Sequence, residues 1–406
     1  MEVFHKINAF KDSEEERLLK KVLKNIIESD KSVINLVIDS CNGKRGCTFS
    51  EASVELAPYV HEDFYADDFG LIPMKLLFKL CILEDFVGKG VDSAMDDKER
   101  AAAYLTIMEF IQERRMHGKA IKEISQTSDE TSTSLTVALA QHLFSQLIPN
   151  KNYLVDGMAE KLPEKCPHCQ ANIEAGNTSL GSAFTWHGRA EVLVNETMAV
   201  RIVKEDSSQN EGTDENFGED LDPEVKKRRS ETEELPDTKT EICLECGDAN
   251  KNVLLDLHTI DKVVAEAITN SFAQVNTKKS LDDLFIPTFS CSSDCVSVFL
   301  YHPTKDILLE STDLLNLWNV TFTENLLSLH TVVWLWLFLN FTTFMVSGTQ
   351  LEENVKLDKS KFHEYMKDRL KFYQNLETGM PFCVKEAQRP VSEDLKLYCY
   401  IRQPRE

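Results

Sequence analysis

A chain of 406 residues with 42% hydrophobic side chains has material for a sizeable core and for more than one structural region. Its formal net charge of -22 and pI near 5.0 argue against nucleic acid as a partner unless a local basic patch overrides the field. The N-terminus, "MEVFHKINAFKDSEEERLLKK", has no apolar signal segment, so the eleven cysteines are expected as reduced thiols or metal ligands of an intracellular, cytoplasmic or nuclear, protein and not as a disulfide framework.

Over residues 14–38 the apolar side chains Leu18, Leu19, Val22, Ile26 and Ile27 recur at helical spacing. Further helices are expected over about 71–87 and 97–116, so residues 1–125 read as a helical region with ordinary solvated charges. A polar stretch, "SQTSDETSTS", then leads into an amphipathic helix over 134–148, closed by Pro149 and Asn150. Residues 126–204 and 241–350 form the expected α/β-like core of an α+β protein: a small mixed sheet flanked by helices.

The core is interrupted. From Glu205 to Glu241 the chain carries 14 acids, 5 bases and a single aromatic. Such a stretch cannot bury enough surface to offset its ordering entropy, and 205–240 is expected to be a disordered acidic linker. Its one dense basic run, Lys226, Lys227, Arg228 and Arg229, suits a nuclear import signal by being exposed, but the flanking acids make it a poor phosphate site. Order is expected to resume with a helix over 258–275, a hairpin with strands at 295–301 and 306–311, and, within 351–406, one more amphipathic helix near 358–376 and a tail.

Two C-x2-C units stand out: Cys166 with Cys169 in "CPHC", and Cys243 with Cys246 in "CLECG". A thiolate pair at this spacing grips one metal from one turn, and two pairs supply the four ligands that zinc prefers. The 73 residues between the pairs are many, but they hold the linker and a hairpin whose ends are close together. A structural Zn2+ at Cys166, Cys169, Cys243 and Cys246 is the expectation, with free thiols or a redox pair as the competing one. His168 lies inside the first knuckle as a substitute ligand or a bystander. Cys291 and Cys295 are a weaker pair at C-x3-C.

Residues 326–346 contain no formal charge and are long enough to be weighed as a membrane anchor. His330, Asn340 and several hydroxyls interrupt the segment and no Lys/Arg cluster flanks it, so a buried core helix, with Trp334 and Trp336 as packing residues, is preferred.

The stretch "WHGRAEVLV", followed by "AVRIVKE", reads as a hairpin with strands at 186–194 and 198–204, and a helix containing Gln274 comes after it. The order helix, hairpin, helix, hairpin, helix, with these short motifs, resembles the core of the PD-(D/E)XK, restriction-endonuclease-like nuclease superfamily and in particular its diverged eukaryotic members. The resemblance covers about 134–204 and 241–346. It implies an acid on one strand and an acid-x-Lys on the next, holding a divalent metal such as Mg2+ that activates water against a phosphodiester. Glu191 takes the first acid's place. The second motif departs: the acid position falls on Arg201 or Ile202, and the Lys position on Val203 or Lys204.

With Asn195, Glu196 and Thr197 as a three-residue loop, Val194 opposes Met198 and Glu191 opposes Arg201. Alternation then puts Glu191 and Arg201 on one face and Lys204 on the other. Glu191 and Arg201 are expected to pair across the strands, with the guanidinium roughly where a metal would bind. The catalytic alternative uses Glu191 with Lys204 and Glu205, and His187 as an optional ligand. The reading favoured is a non-catalytic, zinc-stabilised protein that binds other proteins, with a metal-dependent nuclease and a membrane-anchored protein as alternatives.

Overall fold

The computed structural model describes residues 2–58, 70–125, 132–203, 257–319, 326–377 and 379. Lys204, Glu205, the basic run at 226–229, Cys243 and Cys246 lie outside the described residues. The fold is α+β: a mixed sheet with helices packed on both faces.

The first helices are α1 (Glu2–Asn8) and α2 (Glu14–Ile27). Ser13 caps α2 by accepting from the Glu16 N–H at 3.2 Å, and three glutamates fill its first turn against the positive end of the helix dipole. The helix expected to run on to residue 38 stops at Ile27. Beyond it lies β1 (Ser32–Cys41), because the β-branched run Val33, Ile34, Val37 and Ile38 suits a pleated, half-buried surface. The region expected to be helical therefore contributes strands to the common sheet: β1 pairs antiparallel with β2 (Val54–Pro58), with β3 (Leu71–Pro73) and with a strand nearly 270 residues later, β12 (Ile307–Ser311). The helix expected over 71–87 is likewise shortened to α3 (Leu80–Lys89), preceded by β3 and a 3-10 turn. The long α4 (Lys98–Ser125) and the shorter α5 (Ser132–Leu139) complete this layer.

The sheet continues through β4 (Tyr153–Asp156), β5 (Ala175–Gly176), β8 (Val192–Val194), β9 (Met198–Ile202), β10 (Ile286–Cys291), β11 (Cys295–His302) and β13 (Leu315–Asn316). Its order is β2-β1-β12-β11-β10-β9-β8-β4-β5, with β3 beside β1 and β13 beside β11, eleven strands and much larger than the small sheet expected. A separate ladder joins β6 (Ser179–Gly181) and β7 (His187–Arg189). Only β9–β10 and β4–β5 run parallel among the described pairs. The crossover from β9 to β10 contains α6 (Leu257–Thr277), as a parallel neighbour requires.

Alternation assigns the faces. Val192, Val194, Val200, Val298 and Leu300 pack toward α2, α3, α4 and α7 (Leu329–Leu339), while Leu193, Ala199, Phe299 and Tyr301 pack toward α6 and the buried Phe362 and Tyr373 of α10 (Phe362–Met366) and α11 (Leu370–Tyr373). The apolar segment 326–346 is not one long helix. α7 has 11 residues and ends at Asn340, before the short α8 (Phe341–Phe344). At 1.5 Å per residue α7 spans roughly 16 Å, about half a bilayer's hydrocarbon core. Among the described residues no helix is long and apolar enough to cross a membrane. Instead α7 is buried on all sides: Trp336 donates from Nε1 to the Ala103 carbonyl at 2.9 Å and packs against Tyr104 and Phe344. Trp336→Ala is expected to cost about 3–5 kcal/mol of stability, read as a lowered urea midpoint. An unchanged midpoint would contradict the placement of α7 at the centre of the core.

Candidate functional site

The hairpin β8–β9 has the register Val194 to Met198, Leu193 to Ala199 and Val192 to Val200. Asn195 and Glu196 turn the chain with φ of 52° and 57°. On the face toward α6, Arg201 Nη1 lies 3.5 Å from Glu191 Oε1. The stronger partner comes from the helix: Arg201 Nε and Nη2 stand 2.8 and 2.7 Å from Glu266 Oε2. Glu266 is fully buried, and its other oxygen, Oε1, has no hydrogen-bond partner among the described residues. Glu191 Oε2 accepts from the backbone N–H of Ile202 in a short hydrogen bond.

The cluster thus holds two carboxylates and one guanidinium between β8, β9 and α6. Burial pushes the carboxyl of Glu266 up, and the Arg201 guanidinium works against that rise without cancelling it. Glu191 behaves the same way, with Arg201 and the Ile202 N–H pulling down against burial. Arg201 sits at the C-terminal end of β9, beside parallel β10, where α/β sheets commonly place ligands. Here that position is filled by a protein cation. Gln274 lies three turns of α6 from Glu266 at the opposite end of β9, where it donates to the Glu196 carbonyl at 2.9 Å and anchors the hairpin loop. His187 belongs to β7 and pairs through Nδ1 with the Thr185 carbonyl at 3.0 Å.

The second constellation brings together His142, Cys166 and Cys169, whose donor atoms all lie within 4.8 Å of one another. Cys166 and Cys169 occupy a knuckle that is itself a tight hairpin. Ile173 N donates to Glu164 O, Lys165 bridges Asn172, and Cys166 N donates to Ala171 O. Gln170, directly after the pair, has φ of 60° and donates from its backbone to the Cys166 carbonyl. Burial raises the Cys166 thiol, and the backbone N–H groups of Cys169 and His168 oppose that by pointing to its sulfur.

His142 arrives from the other side. The helix that begins as α5 widens into a π turn over Ala140–Phe144 with His142 at its middle, then tightens to 3-10 geometry. Such turns are rare and recur at functional sites because the extra residue re-aims a side chain. The carbonyl of Gln141 is satisfied by Ser145 Oγ at 3.1 Å and Gln146 Nε2 at 2.9 Å. His142 Nε2 reaches within 3.2 Å of Cys166 Sγ. Burial holds the His142 imidazole down at about 4, so it is neutral at pH 7, the form that ligates a metal. In a tetrahedral zinc centre the donor atoms stand roughly 3.5–3.8 Å apart, a separation the observed spacings bracket. His168 flanks the group, its Nδ1 3.2 Å from Glu123 Oε2 and its ring 5.7 Å from that of His142. Cys291 and Cys295 are both fully buried at the turn between β10 and β11, away from this group.

His142 and Glu266 are the residues that reading the sequence missed. Each interrupts an apolar helical stretch, "ALAQHLF" and "VVAEAIT", which is a sign of a buried polar group but names no partner. No family model matches the chain, and neither a curated protein nor a solved structure shows detectable similarity to it.

Removing the guanidinium should expose the cost of the cluster. Arg201→Met leaves two carboxylates without their cation and is expected to lose about 3–5 kcal/mol at pH 7. A carboxyl whose folded pKa lies above its unfolded value favours folding at low pH, and that contribution disappears as pH rises through the folded pKa. The deficit of the variant should therefore shrink from pH 8 toward pH 5, and Arg201→Met with Glu266→Gln should flatten it. Urea midpoints across this range provide the check, and a deficit independent of pH would refute the assignment.

Proposed function

We propose that this chain is a non-catalytic protein-interaction protein, built on a degenerate nuclease-like core and held together by a structural zinc. The observation that carries the first half is the position of Arg201. A nuclease of the suggested type needs a second acid beside Glu191 to hold Mg2+. Here the strand opposite presents a guanidinium, and the nearby second acid, Glu266, is already bound to it through two nitrogens. A fixed positive charge at that place repels a divalent cation and offsets the carboxylates directly. The net charge of -22 also works against a phosphate backbone as partner, which leaves proteins as the partner class.

The second half rests on His142, Cys166 and Cys169. Thiolate and imidazole donors suit zinc, whereas Mg2+ prefers oxygen. The knuckle follows β4 at the sheet's edge, and His142 lies in the helical layer, so a metal there joins two parts of the fold at one point. Cys243 and Cys246, the pair expected to complete the site, lie outside the described residues.

In a Mg2+ or Mn2+ assay on single- and double-stranded DNA and RNA, the purified protein is expected to cleave nothing above background. Metal-dependent cleavage abolished by Glu191→Ala would establish the nuclease alternative instead. Elemental analysis of the intact protein should find zinc approaching one per chain, lost in Cys166→Ser and in His142→Ala. Near-zero zinc in the unmodified protein would remove the staple.

A further inference from the structure

His142 offers only one ring nitrogen to the cysteine pair. The other faces inward. Its Nδ1 lies 3.2 Å from Nδ1 of His117, which is buried on α4 and stacks on Phe110 with ring centroids 5.1 Å apart and planes at 9°. Nε2 of His117 in turn lies 3.5 Å from Oε2 of Glu113, one turn earlier on the same helix. The chain Glu113, His117, His142 thus runs from the protein surface to the sulfur of Cys166.

This chain admits two proton arrangements. A metal on His142 Nε2 takes that nitrogen's lone pair, so the ring proton sits on Nδ1 and must be donated. The only polar atom that the printed contacts place before it is His117 Nδ1, which then has to be the acceptor, with its own proton on Nε2 facing Glu113. In the reverse arrangement His142 carries its proton on Nε2, aims it at Cys166 and cannot ligate there, while the proton of His117 sits on Nδ1 and leaves a bare nitrogen lone pair against the Glu113 carboxylate. The carboxylate therefore disfavours the reverse arrangement and selects the first. The π turn fixes where the His142 ring points, and the stack on Phe110 fixes the ring behind it.

We propose that His117 and Glu113 are positioning residues of a metal centre at His142, Cys166 and Cys169, holding His142 in the tautomer that leaves Nε2 free for the metal. The inference rests on the zinc reading above and adds two residues that touch neither the metal nor the cysteines. Outer partners of this kind typically govern affinity by about 10- to 100-fold.

An imidazole beside a thiol backed by a second His and an acid also has the outline of an activated nucleophile. Cys166 is fully buried and burial raises its thiol, which makes it a poor attacking group and leaves the ligand role.

The test uses the full chain, stripped of metal and titrated with Zn2+ and with Co2+ against a chelator of known affinity at pH 7. His117→Phe keeps a ring on Phe110 but has no acceptor, and is expected to bind both metals about 10- to 100-fold more weakly, with an altered cobalt spectrum. His117→Asn restores an acceptor carbonyl and is expected to recover most of the affinity. The metal-free forms of the two variants should melt within a few degrees of each other, so a general loss of packing cannot produce the split. If His142→Ala abolishes binding while both His117 variants bind like the unmodified protein, the relay is wrong and the zinc centre stands. If His142→Ala and Cys166→Ser bind like the unmodified protein, the centre itself is wrong and the relay goes with it.

Discussion

The guanidinium of Arg201 makes the middle of this sheet tenable. It sits between Glu191 at the start of β8 and Glu266 on α6, a helix that contributes a fully buried carboxylate to the crossover between two parallel strands. A buried carboxylate without a cation costs several kcal/mol even after relaxation. The seat of α6 over the sheet therefore depends on one charge, contributed from β9. Asn270 and Gln274 fasten the other end of the same helix to the hairpin loop, through the carbonyls of Thr197 and Glu196. The crossover is thus tied at both ends of β9 by polar contacts and along its length by apolar ones.

The same interaction explains why a nuclease-like outline does not carry nuclease chemistry in this reading. Catalysis of that type needs carboxylates that are free to take up a metal and exchange its waters. Glu266 is committed through two nitrogens of Arg201, and Glu191 is held by the guanidinium and by a backbone N–H. The metal chemistry the fold does offer lies elsewhere, where α4, the π turn and the knuckle converge on sulfur and imidazole. The two sites divide the work: one neutralises buried charge within the sheet, and the other ties the sheet's edge to the helices.

Much of the hairpin was legible in the sequence, because a three-residue loop and strict alternation fix which side chains oppose one another. The Glu191–Arg201 contact follows from local rules alone. Glu266 does not, since it comes 65 residues after Arg201 and only the crossover brings it back. His142 was hidden for a different reason: its direction is set by a π turn, and an extra residue in a helical turn leaves no mark in apolar periodicity. The N-terminal strands were lost to a helical pattern read too far, where Val33, Ile34, Val37 and Ile38 should have weighed more than spacing. Their partner, β12, lies nearly the whole chain away, and no local signal announces it.

One diffraction experiment reaches both sites at once. A crystal of the full chain soaked in Mn2+ can be measured for anomalous scattering at the zinc and manganese edges. The account predicts a zinc peak among His142, Cys166 and Cys169, and no manganese between Glu191 and Glu266, with Arg201 in place. Manganese bound to Glu191 and Glu266 with the guanidinium displaced would contradict it.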